Sequence, residues 1–90
     1  MPKRWPADRT NRVRVQFLQV DSEVALTFAG IALRTSDEQK RRSSTQTARK
    51  AYDTIMRLRR GVELSVAENN KLNANLQRLK AELQSLGEAF

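Results

Sequence analysis

The chain has 90 residues, with 17 Lys or Arg against 10 Asp or Glu, and its formal net charge is +7. It contains no His and no Cys, which excludes a His- or Cys-based metal site, a disulfide framework, a thiolate nucleophile and an imidazole base. The three glycines are dispersed and form no phosphate-binding loop. We therefore predict one small domain without enzymatic activity, metal or cofactor.

The apolar segments are too short to cross a membrane. The longest, residues 24–33, is about half of the roughly 18 residues that a span requires, and Thr27 and Gly30 interrupt it. The N-terminal region has no apolar signal-peptide core, because charged residues recur through residues 8–14. We expect a cytoplasmic protein that does not associate with membranes.

The first eleven residues, MPKRWPADRTN, carry two prolines and a net basic charge, with no hydrophobic period. They are typical of a flexible basic arm preceding a domain of residues 12–90. Trp5 is the one large apolar residue of this arm, and the sequence leaves open whether it folds back on the domain or stays exposed.

The next segment contains two competing patterns. Residues 12–17 alternate apolar and polar, as a strand does, but no other segment offers a partner strand. A helical period continues much further, which predicts a helix from about Arg12 to Arg34. Its apolar stripe, at spacings of three and four, is Val13, Phe17, Val20, Val24, Phe28 and Ile31, and it is widened by Leu18, Ala25, Ala29 and Ala32.

A second helix is predicted from Asp37 to about Arg60. Ser36 and Gln39 have capping-box spacing, and Gly61 is placed to stop the helix at its C-terminus. The C-terminal half has an apolar stripe, whereas the N-terminal half has Ser44 and Thr45 at the corresponding positions. The stripe is Ala48, Ala51, Tyr52, Ile55 and Leu58.

A third helix, from Val66 to Leu86, follows a second capping box formed by Ser65 and Glu68. Five leucines recur in it at spacings of 4, 3, 4 and 3, and Gly87 ends it. This leucine seam is Leu72, Leu76, Leu79, Leu83 and Leu86.

Three helices of similar length joined by short loops predict an all-α, antiparallel three-helix bundle. The predicted core residues are Phe17, Val24, Phe28, Ile31, Tyr52, Ile55, Leu58, Leu72, Leu76, Leu79 and Leu83.

Residues 21–61 resemble the helical hairpin of a tetratricopeptide repeat. Leu26, Ala29, Gly30 and Leu33 follow the spacing of its first helix, and Ala48, Tyr52 and Ile55 follow that of its second. The closing proline of the repeat is absent, and the hairpin is longer than 34 residues. The resemblance implies a hairpin closed by a capping helix, and a protein-interaction role by analogy.

Positive charge is concentrated in the second helix. Residues 36–60 contain eight basic and three acidic side chains. This face could bind nucleic acid or another polyanion, or it could be a solvated helix face in which Asp53 pairs with Arg49 and Arg57. The candidate polyanion-binding residues are Lys40, Arg41, Arg42, Arg49, Lys50, Arg57 and Arg60.

The leucine seam also has two interpretations. It could pack inside the chain, or it could form a surface for a homodimer or another protein partner, although Asn69, Asn70, Asn73 and Asn75 weaken its first half. We expect a non-enzymatic interaction or adaptor module with a protein partner. The alternatives are a polyanion-binding protein, with nucleic acid as partner, and a self-assembling structural protein.

Overall fold

The computed structural model describes residues 4–90, with side chains from residue 9 onward. Its elements are α1 (Arg4–Arg34), α2 (Glu38–Leu58), a 3-10 turn (Arg59–Gly61) and α3 (Val66–Ser85). The three helices pack against one another, and the described residues contain no strand. The predicted all-α three-helix bundle is confirmed. Within it, α2 runs antiparallel to α1 and α3, which are parallel to each other.

Helix α1 begins eight residues earlier than predicted. The predicted flexible arm of residues 1–11 therefore overlaps a helix from Arg4 onward, and the predicted start at Arg12 is wrong. Pro6 is compatible with this start, because a proline in the first turn lacks only an N–H that would have no partner within the helix. Asn11 also bonds both the carbonyl and the N–H of Glu63, at 3.0 and 2.8 Å, which holds this end of α1 to the α2–α3 connection. Residues 1–3 and the Trp5 side chain lie outside the description.

The face that α1 turns inward is made largely of small residues. Its buried positions recur at spacings of three and four, and we call them the inner seam: Val15, Leu18, Ser22, Ala25, Ala29 and Ala32. Ala25 and Ala29 meet Ala48 of α2 and Leu79 of α3 in one cluster. Leu18 packs in a second cluster with Ile55, Leu72 and Leu76. Short side chains on α1 and α2 let these two helices approach closely, and leucines from α3 fill the remaining space.

This packing corrects part of the predicted core. Phe17 and Val24 are exposed, because the inner seam rather than their row faces α2 and α3. Leu58, the last residue of α2, is also exposed. Phe28, Ile31 and Tyr52 are half-buried. The core positions confirmed as buried are Ile55, Leu72, Leu76, Leu79 and Leu83.

Polar side chains fix the register between α1 and α3. The buried Ser22 hydroxyl donates to the Gln19 carbonyl at 2.8 Å and accepts from the Asn75 amide at 3.0 Å. Gln19 donates to the Glu68 carbonyl at 3.2 Å. A slip of α3 along α1 would separate the Asn75 and Gln19 amides from their acceptors. Since part-buried donors without partners are costly, such a slip is disfavoured.

The helix ends agree with the predictions in part. The capping box of Ser65 and Glu68 is confirmed, with both reciprocal hydrogen bonds present. In α2 the N-cap is Asp37, and not Ser36 as predicted, because the Asp37 carboxylate accepts from two first-turn N–H groups. Gly61 lies in the 3-10 turn, whereas Gly87 has a φ of 96° and ends α3 in a left-handed conformation that suits glycine.

Candidate interaction surfaces

The predicted basic face of α2 divides into exposed cations and cations held by the fold. Arg42 is exposed, 3.9 Å from the Glu38 carboxylate. The side chains of the other exposed members form no hydrogen bond or ion pair within the described residues; they are Lys40, Lys50, Arg57 and Arg60. Arg41 and Arg49 have structural contacts instead, so they do not belong to an open basic surface.

Arg41 caps the end of the neighbouring helix. Its guanidinium donates to the Thr35 carbonyl at 2.8 Å and to the Ala32 carbonyl at 3.4 Å, and it pairs with Glu38 at 2.8 Å. The last carbonyls of a helix have no partner within it and carry partial negative charge. Arg41 therefore stabilises the C-terminus of α1, a role that the sequence prediction missed.

Arg49 anchors the C-terminal segment. It pairs with Asp53 at 3.1 Å, as predicted, and also with Glu88 at 3.2 Å, and it donates to the Ala89 carbonyl at 2.7 Å. Its guanidinium lies 4.0 Å from the centre of the Phe90 ring, which contacts Tyr52 edge to face. The two carboxylates that pair with Arg49, those of Asp53 and Glu88, also interrupt the positively charged surface of α2.

The hydroxyl-rich part of α2 is occupied by local bonding. Thr45 donates to the Arg41 carbonyl at 2.7 Å, and Thr47 donates to the Ser43 carbonyl at 3.1 Å. Such bonds satisfy the hydroxyl within its own helix and let a neighbour approach closely. Thr45 lies buried in the bundle, as does Ser44, whereas Thr47 is exposed.

The leucine seam lies inside the chain. Four of its members are buried, and Leu86 is half-buried against the cluster around Ala29. This burial favours the first interpretation, packing within one chain, over a partner or dimer surface. The residues concerned are Leu72, Leu76, Leu79, Leu83 and Leu86.

A row of large apolar side chains is exposed along α1. We call it the outer stripe: Val13, Phe17, Val20 and Val24, which are 62%, 48%, 51% and 44% exposed. The period of this row is visible in the sequence, but two of its members, Phe17 and Val24, were predicted to lie in the core. The inner seam has a similar period, so spacing alone could not identify the row that faces inward.

The stripe continues into a groove toward the end of α2. Val13, Phe17 and Leu18 form one wall, and Leu58 and Val62 form the other, around a volume of about 530 Å³. Arg14 and Arg57 lie at its edge. The lining is thus apolar with a basic rim.

One acidic side chain lies beside the stripe. Asp21 is half-buried, and this burial raises the pKa of its carboxyl above the ordinary value. Neither Asp21 nor Arg14 forms an ion pair with another side chain described in the structure. Both therefore border the outer stripe as unpaired charges of opposite sign.

Metal-binding and membrane-spanning features are absent from the described part of the chain. Residues 9–90, whose side chains are described, contain no group of three or more acidic side chains placed to hold a metal ion. None of the helices described there combines the length and apolar character that a membrane crossing requires.

The chain matches no protein-family model, no curated protein and no solved structure.

Proposed function

We propose that this protein is a non-enzymatic protein-interaction module whose contact surface is the outer stripe of α1. One observation carries the proposal: four large apolar side chains form a continuous exposed row on a helix whose opposite side is already packed. Exposed apolar side chains are ordinary when scattered, but a contiguous row marks a surface that another molecule covers.

The shape of this surface suits a helical partner. The stripe has a 3–4 spacing, which is the spacing that lets one helix pack along another. From Val13 to Val24 it extends about 17 Å at 1.5 Å per residue. The resemblance to a tetratricopeptide hairpin remains a prediction, and the proposal does not depend on it.

A photocrosslinking experiment tests the proposal. A benzophenone amino acid replaces Val20, in the stripe, or Gln77, which is exposed on α3, in the full chain in its native cells. We expect protein adducts from position 20 that disappear when Val24→Lys is added, and few from position 77. Equal labelling from the two positions, or labelling that Val24→Lys leaves unchanged, would contradict the proposal.

A second candidate is polyanion binding through the exposed cations of α2. The observation that favours it is the exposure of five of the seven predicted basic residues, without strong pairing inside the chain. Binding of this kind weakens steeply with salt, because each phosphate contact releases counterions.

The test replaces Arg42, Lys50 and Arg57 together by Gln and measures affinity for duplex DNA over a series of salt concentrations. If this face binds phosphates, the slope of log affinity against log salt falls by about 2 to 3 in the triple variant. The matched control is Arg12→Gln on α1. An unchanged slope in the triple variant would eliminate this surface.

A further inference from the structure

Helix α1 carries two apolar rows on different sides. The inner seam is buried, and the outer stripe is continued at the same spacing by Thr27 and Ile31. With 3.6 residues per turn, the two rows lie about 140° apart around the helix. Helix α1 therefore has the pattern of a helix that packs on two sides, and its own chain occupies one of them.

The outer stripe is complementary to itself when two copies of α1 run antiparallel. With a two-fold axis between residues 18 and 19, Phe17 lies opposite Val20 of the second copy, and Val13 lies opposite Val24 of the second copy. The symmetry repeats both pairs, which gives four layers. Each aromatic ring then meets a smaller β-branched side chain, the kind of alternation that fills a helix–helix interface.

The charges beside the stripe favour the same alignment. Arg14 and Asp21 each follow a valine of the stripe, Val13 and Val20, and so lie on the same flank of the row. Antiparallel packing brings this flank against its symmetry copy, and each Arg14 then lies beside Asp21 of the second copy. Flanking charges of this kind set the orientation of paired helices.

Parallel packing would have the opposite effect. Residues 9–14 contain three arginines and no acid, and Asp8 directly precedes them. The other two acids of α1 lie further along the helix: Asp21, and Glu23, which pairs with Lys71 at 3.7 Å. Two parallel copies would place the arginine-rich segments together and the acidic segments together. Like charges at short range oppose association, so the charge distribution selects the antiparallel arrangement.

We propose that a second copy of this chain covers the outer stripe of α1 in this antiparallel register, forming a symmetric dimer. The inference rests on the proposed function, since it names the partner of the same surface. The leucine seam remains inside each subunit, and the two-fold axis lies between the two α1 helices.

Disulfide trapping tests the register. Because the chain has no native cysteine, every disulfide must join the introduced cysteines. Full-length Val13→Cys and Val24→Cys are oxidised separately and as an equimolar mixture. We expect the mixture to form mainly a mixed disulfide dimer, which joins position 13 of one chain to position 24 of the other. Its yield should be at least about 5 times the yield of either homodimer. Homodimers equalling or exceeding the mixed product would overturn the antiparallel register.

Charge reversal tests the flanking pairs by sedimentation velocity from low micromolar to sub-millimolar protein. Arg14→Asp and Asp21→Arg should each weaken dimerisation by about 10-fold, and the double variant should recover most of it. Arg12→Asp makes the same charge change at a position away from the outer stripe, and it should alter the affinity of dimerisation by less than about 2-fold. Singles that match the control, or a double variant no better than the singles, would overturn the proposed pairing.

The proposed function and this inference fail differently. A chain that stays monomeric at every concentration, but forms adducts with a different protein from position 20, retains the interaction surface and eliminates the second copy as its occupant. A chain that neither dimerises nor forms adducts at position 20 eliminates both. Circular dichroism of every variant separates these outcomes from loss of the fold.

Discussion

The two sides of α1 differ in a way that reverses the usual expectation for a surface helix. The inner seam contains three alanines and a serine, whereas the outer stripe contains a phenylalanine and three valines. Small residues face inward because α1 lies close to α2, and leucines from α3 supply the volume of the core. The lesson is that the larger apolar row of a helix need not be the row that its own chain buries.

The largest effect should come from removing core volume that α3 supplies. Leu79 is fully buried between the alanines of α1 and α2, so Leu79→Ala should lower the free energy of unfolding by about 2–5 kcal/mol. Val20→Ala removes apolar volume from the outer stripe and should change it by less than about 0.5 kcal/mol in dilute protein. Urea unfolding measures both, and equal losses would refute the distinction between the two sides.

Enlarging a side chain should show the same difference between the inner seam and the outer stripe, with a smaller effect on stability. Ala29 is fully buried, and Ala29→Leu would force α1 away from α2, which should cost about 1–3 kcal/mol of stability. Val20→Leu enlarges an exposed side chain and should be nearly neutral. Thermal unfolding of the two variants checks this, and a stable Ala29→Leu variant would mean that the helices are not closely packed there.

The smallest of the three effects concerns charge. Arg41 bonds the last carbonyls of α1, and Arg42, one residue later, is exposed. Arg41→Ala should reduce the free energy of unfolding by about 1 kcal/mol, the typical net contribution of such hydrogen bonds. Arg42→Ala should have almost no effect, because exposed ion pairs contribute little. Chemical unfolding of both variants at matched ionic strength measures the two effects. A larger loss of stability for Arg42→Ala than for Arg41→Ala would contradict the assigned roles.

Much of the fold was accessible from the sequence because local signals agreed with the tertiary structure. The capping box at Ser65 and the regular leucines of α3 identified a helix within one residue of its observed bounds. Helix α2 was also placed closely, although Asp37 replaced Ser36 as its cap. The start of α1 was missed, because Pro6 and the charged residues around it are typical of an arm, and the contact of Asn11 with Glu63 is visible only in the folded chain.

The candidate surface was less predictable for a physical reason. Two rows on α1 have helical spacing, and hydrophobicity favours the row of Phe17 and Val24. Burial is decided instead by how closely the helices approach, which depends on Ser44 and Ala48 of α2 as well as on α1. Similarly, the sequence identifies Arg41 and Arg49 as basic but cannot show that carbonyls and carboxylates of distant residues surround them.

The most direct test of the account compares thiol reactivity at two adjacent positions of α1. Val24→Cys and Ala25→Cys are single-cysteine variants of a chain that has no other cysteine, and the native residues are 44% and 1% exposed. In dilute protein, the thiol at position 24 should react with a small disulfide reagent nearly as fast as in the unfolded chain. The thiol at position 25 should react at least about 100-fold more slowly, because it becomes accessible only when the bundle opens. Equal rates, or protection of position 24 over position 25, would show that the larger row faces the core and would contradict the account.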